Sequence, residues 1–181
     1  MAKRVSLSGD RPELRGIGQH YSDLRSSLEL YFSADSPLRM QRFAGYTERE
    51  VAEELRERLE EVDLTSSLTV LGAIEAAFRI DYFMRYDRRK KDDVSRALRE
   101  LYKMKQERAS LEQEIFQAWI DNSSGSGRIF GELRGAFKFR HWLAHGRYWN
   151  PKLGRRYTFT DVFTLAVQVL QSFPLYGIDQ N

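Results

Sequence analysis

Apolar residues return along most of this chain at intervals of three and four, the period of a helix with one buried face. Tyr21, Leu24, Leu28 and Tyr31 predict a helix over residues 20–33, after a loose lead-in over residues 1–19. Thr47-Glu-Arg-Glu50 carries the capping-box pattern, in which a hydroxyl and a carboxylate satisfy the first free backbone amides. Behind it Val51, Leu55, Leu59 and Val62 make a narrow apolar stripe on a charged helix, which belongs on the surface. A second, far more apolar helix is predicted over about residues 66–85. Leu71, Ile74, Phe78 and Tyr82 form one face, and Val70, Ala73, Ala77 and Ile80 widen it, so this helix is buried on several sides.

The basic run Arg88-Arg-Lys-Lys91 suits a helix C-terminus, and Asp92 and Asp93 suit the start of the next helix. That third segment reaches residue 122, with Val94, Leu98, Leu101, Met104, Leu111, Ile115 and Trp119 inward and a bend near residues 107–110. Residues 122–127, Asn-Ser-Ser-Gly-Ser-Gly, are a loop. A further helix over residues 129–145 ends at Gly146, the residue best able to take the left-handed conformation that closes a helix. A basic turn follows at residues 150–156. Thr160-Asp161 then opens a last apolar helix over residues 162–173, stopped by Pro174. Residues 156–159 are the one candidate strand. These elements predict an all-α fold: an up-and-down bundle of four main helices over residues 63–181, with a helical N-terminal extension over residues 1–62.

Composition agrees with one packed domain, since 41% of the 181 residues are hydrophobic and 30% are charged. No apolar run has the length of a membrane span, and the basic opening lacks the apolar stretch of a secretory signal, so a cytoplasmic protein is expected. Cysteine is absent, which excludes disulfides, thiolate nucleophiles and cysteine-bound zinc. The net charge of +3 conceals an uneven distribution: seven Glu against three Arg over residues 47–62, and eight Lys or Arg against Glu132 alone over residues 128–156. The basic segment is either a polyanion-binding face or a partner for the acidic helix of its own chain.

The densest chemistry lies in Phe137-Lys-Phe-Arg140-His141-Trp-Leu-Ala-His145-Gly-Arg147-Tyr148-Trp149. Histidine exchanges a proton near neutral pH, and arginine grips a phosphate with a charge it never loses. Aromatic rings beside cations stack on unpaired bases. Such parts bind RNA and activate its 2′-hydroxyl against the adjacent phosphate. On an ideal helix Arg140 and His145 lie about 140° apart, so both reach one small site only where the helix frays before Gly146. His141 and His145 have the spacing of a zinc pair, but no Glu stands between them and no third ligand lies nearby, so no metal is expected. Arg147, Tyr148, Lys152, Arg155 and Arg156 either extend a phosphate track or form a wet loop. Glu75, within an apolar helix, pairs with Arg79 one turn on or with Arg140 or His145; Asp81 is a poorer candidate for that contact.

Arg140-His141-x-x-x-His145 near the end of a helical bundle resembles the signature of the HEPN superfamily, in which Arg precedes His by a few residues and a polar residue, often Asn, follows the Arg. Ile74-Glu-Ala-Ala-Phe-Arg-Ile-Asp81 resembles that family's earlier helix with its acidic residue. The likeness covers about residues 64–175 and implies a metal-independent endoribonuclease without a cofactor. Two protomers of a homodimer would then share a composite site. Arg140 would hold the scissile phosphate, His145 would act as base or acid, and His141 would bind substrate or order its neighbours. Products would carry a 2′,3′-cyclic phosphate and a 5′-hydroxyl. The likeness also implies a toxin or antiphage effector with an antitoxin or defence partner. Tyr148 lies three residues past His145, where HEPN toxins modified on tyrosine have it two past. The rival readings are a non-catalytic module that binds RNA, nucleotide or a protein partner, and a purely structural helical adaptor.

Overall fold

One helix organises the chain. Between Glu48 and Arg88 there is no proline, and the hydroxyls that compete with helical hydrogen bonds turn back onto their own helix. Thr65 Oγ1 donates to the Glu61 carbonyl at 2.8 Å and Ser67 Oγ to the Asp63 carbonyl at 2.7 Å. In a computed structural model that describes residue 7 and residues 10–177, this segment is a single helix of 41 residues. The two helices expected at residues 47–62 and 66–85 are therefore one, and the expected boundary at residue 62 falls inside it.

The described residues form seven α-helices and no strand: α1 Leu14–Phe32, α2 Pro37–Arg42, α3 Glu48–Arg88, α4 Asp93–Lys105, α5 Phe116–Asn122, α6 Gly127–Ala144 and α7 Phe159–Ser172. The all-α class expected from the periodicity holds. Residues 156–159 are not a strand, because Thr158 caps α7 and Phe159 is already helical. Of the expected lead-in, residues 14–19 belong to α1, and residues 1–6, 8 and 9 lie outside the described residues. None of the described helices is long and apolar enough to cross a membrane.

The third expected segment breaks where a bend was expected, and more sharply. α4 ends at Lys105, and Gln106 takes φ +50°. A 3-10 turn, Gln106–Arg108, and a π-helical turn, Leu111–Ile115, follow before α5 begins. Tyr82 holds the break in place by donating its hydroxyl to the Gln106 carbonyl at 3.0 Å. Met104, expected inward, stands on the solvent side of the break and is exposed.

The core is aromatic where α3, α5, α6 and the end of α7 meet. Phe78, fully buried, packs its ring 4.9 Å from Phe116, 5.6 Å from Phe130 and 6.2 Å from Phe173. Burial of each such ring stabilises the fold by about 1.5–3 kcal/mol. Ile17 of α1 belongs to this same core, and Tyr21 stacks on Phe159 at 3.6 Å while its hydroxyl donates to Asp63 of α3. The N-terminal helix is thus built into the bundle. A buried ion pair closes the far end: Arg85 donates to both oxygens of Asp81, to Asp92, to Ser95 and to the Pro174 carbonyl. Asp81 is spent there and takes no part in the site described next.

A cleft at the C-terminal end of α6

α6 lies against α3 so that its C-terminal end, with residues 140–149, faces the middle of α3. The helix stays regular to Ala144 and then closes by paired backbone bonds. The Gly146 N–H donates to the Leu143 carbonyl at 3.3 Å and the Arg147 N–H to the Trp142 carbonyl at 3.1 Å, with Gly146 at φ +78°. This closure reverses the chain, and Trp142 Nε1 donates to the Trp149 carbonyl at 2.7 Å, fixing the returning loop beside the helix. The result gathers three rings. His141 and His145 lie 4.3 Å apart between centroids, with Trp149 at 5.9 and 6.4 Å from them. Both histidines are exposed.

Arg140 points elsewhere. Its NH2 group lies 2.8 Å from Glu75 Oε2, while Glu75 Oε1 accepts from Arg79 Nε at 3.0 Å. The two contacts weighed for Glu75 are therefore both made, and the carboxylate holds two guanidinium groups at once. Arg140 Nε is buried without a hydrogen-bond partner among the described residues. No hydrogen bond or ring contact joins Arg140 to His145, because α6 does not fray before its last residue and the two side chains keep their separation around the helix.

Beside the histidines opens a cleft of about 310 Å³, lined by Glu112, Phe137, Lys138, His141, Trp149, Pro151, Lys152 and Leu153. Glu112 comes from the π-helical turn. That turn holds more residues than an α-helical one, which shifts the phase of the wheel and hides which side Glu112 faces when the segment is read as regular helix. Its backbone carbonyl accepts from Arg134 at 3.2 Å. Its half-buried carboxylate makes no hydrogen bond or ion pair among the described residues. Burial pushes that carboxyl upward, against the pull of Arg134, His141, Lys138 and Arg140.

The basic loop meets the acidic part of α3. Arg147 reaches both oxygens of Glu61, at 2.7 and 3.2 Å, and Arg156 lies 3.4 Å from Glu60. Arg155 lies 3.6 Å from Asp161 and 4.6 Å over the Tyr157 ring. Three of the four cations assigned to a phosphate track are thus matched by acids of their own chain. Lys152, like Lys138, lines the cleft with no ion pair among the described residues, and Tyr148 stands out from the surface, 83% exposed. Residue spacing alone did not mark Lys138, Glu60, Glu61 or Glu112. The acidic run on α3 was the available signal for the second and third. Among the described residues no three His, Asp or Glu side chains gather as metal ligands. Comparison with protein-family models, with curated proteins and with solved structures finds no match to this chain.

Proposed function

We propose that the chain is an endoribonuclease of HEPN type, its helical bundle corresponding to that family's, which cuts RNA without a metal and acts as a homodimer. One observation carries this reading: the exposed imidazole of His141 lines a cleft with Lys138, Lys152 and Trp149, and that of His145 lies 4.3 Å from it. Imidazoles can move protons at cellular pH, the lysines meet phosphate, and the indole stacks on a base.

In the proposed reaction a histidine takes the proton of the ribose 2′-hydroxyl. The 2′-oxygen forms a bond to phosphorus as the bond from phosphorus to the 5′-oxygen breaks. A protonated histidine gives its proton to that leaving oxygen. The products are a 2′,3′-cyclic phosphate and a 5′-hydroxyl. Base and acid stand on opposite sides of phosphorus in such a displacement. Two rings 4.3 Å apart on one face cannot flank it, which is why the proposal requires His145 from each of two protomers. Arg140 lies in an ion pair with Glu75 and away from His145 of its own protomer; in the proposed dimer it is the cation that stabilises charge on the phosphorane. An enzyme of this kind in the cytoplasm damages the RNA of its own cell, which suits a toxin or antiphage effector restrained by a partner protein.

The ion pair of Arg140 with Glu75 favours a second reading, a non-catalytic module that binds RNA through its lysines. Incubation of single-stranded RNA with purified protein in EDTA separates the two. The nuclease reading expects cleavage by the wild type and loss of it in H145A. Binding without cleavage favours the module, and cleavage that survives in H145A removes His145 from the chemistry.

A further inference from the structure

We propose that the cleft beside His141 is a nucleobase pocket that selects guanine, with the Glu112 carboxylate as the group that reads it. This rests on the RNA reading of the site above and adds to it a specificity and a residue. The cleft, about 310 Å³, is at the small end of the range that holds a ligand, which suits one nucleotide unit. Trp149 gives it an aromatic wall, the other lining ring, Phe137, being buried in the core. Single-stranded RNA is recognised by stacking splayed bases on such rings. Lys138 and Lys152 at its edge, free of ion pairs among the described residues, are placed for the phosphates on either side of the base.

The polar group inside decides which base fits. Glu112 is a half-buried carboxylate with no hydrogen bond or ion pair among the described residues, its burial offset only in part by the charges of Arg134, His141, Lys138 and Arg140, so an occupant that brings N–H donors relieves a remaining cost. An ionised carboxylate only accepts. Guanine alone offers two adjacent donors, N1–H and the N2 amino group, to both oxygens of one carboxylate. Adenine and cytosine each set an acceptor beside the amino group, and uracil flanks its single N–H with two carbonyls. The match is therefore to guanine, with its phosphates met by Lys138 and Lys152.

Titration calorimetry of the full chain with 3′-GMP, 3′-AMP, 3′-CMP and 3′-UMP tests this without any need for cleavage. The expected result is tighter binding of 3′-GMP by about tenfold or more, the scale of one bidentate base contact. E112Q is expected to lose that preference while binding the other three as before. K152A is expected to weaken all four alike. Equal affinity for the four nucleotides, no binding of any, or a guanine preference that persists in E112Q overturns the proposal. Should E112Q not fold, as circular dichroism would show, the wild-type ranking alone decides. The two readings fail separately. A guanine preference in a protein that cuts no RNA leaves the pocket and removes the nuclease, and cleavage with no base preference does the reverse.

Discussion

Replacing Glu60 and Glu61 together by Gln unpairs Arg147 and Arg156 without adding a cation. Both ion pairs lie at the surface, with side chains between 37% and 84% exposed. Such pairs are worth about 0.2–1 kcal/mol each, so the double variant loses at most about 2 kcal/mol of stability. In a chain of this length that lowers Tm by at most about 4–8 °C. The effect on RNA should be larger in kind. Each phosphate contact to a single strand contributes about 0.7 to the slope of log K against log salt, and two released arginines steepen it by about 1.4. Fluorescence anisotropy with a labelled single-stranded RNA, across a series of KCl concentrations in EDTA, measures that slope directly. The variant should bind more tightly at low salt and lose the advantage as salt rises. An unchanged slope and affinity would show that Arg147 and Arg156 never meet phosphate, and that the basic loop exists to hold α3.

Glu75→Gln leaves the side chain's shape and removes the charge that orients Arg140, so cleavage should fall, by up to about a hundredfold, with RNA affinity little changed; kcat and KM measured separately show it. Arg85→Leu strands the fully buried carboxylate of Asp81 and should cost about 3 kcal/mol or more in urea unfolding. Thr158→Ala removes the hydroxyl and capping geometry that hold Asp161 below its ordinary value of 3.8. A lowered folded value stabilises the protein above the ordinary value and ceases to do so as pH falls through it. The cost of Thr158→Ala, about 1 kcal/mol at pH 7, should therefore shrink below about pH 4 in the same unfolding assay.

The helical period made the all-α fold legible, because each helix buries one apolar face and the faces of α3, α4 and α7 are written in Leu, Ile, Val and Phe. Thr47, Asp92 and Gly146 were readable as caps for the same reason: their chemistry acts within a few residues. Helix continuity was not. The apolar pattern changes between residues 62 and 66, which predicts two helices, yet the hydroxyls of Thr65 and Ser67 are satisfied inside α3 and the helix runs on. In the candidate site, His141, His145 and Arg140 lie close in sequence, so their neighbourhood was visible. Glu61, the partner of Arg147, and Glu112, which shares the cleft with His141, lie 86 and 29 positions from those residues, and only the packing of α3 and the π-helical turn brings them there. Glu75 stood between two readings for a related reason. Spacing reveals the arginine one turn away but not that a second oxygen is left to take Arg140.

In the proposed mechanism this chain's imidazoles drive attack of a ribose 2′-hydroxyl on its own adjacent phosphate. The most direct test is the chemistry of the cut ends. Purified protein and a defined single-stranded RNA in EDTA should yield fragments ending in a 2′,3′-cyclic phosphate beside fragments beginning with a 5′-hydroxyl, seen by mass spectrometry. Fragments with 3′-hydroxyl and 5′-phosphate ends, or RNA left intact at every protein concentration at which the chain dimerises, would contradict it.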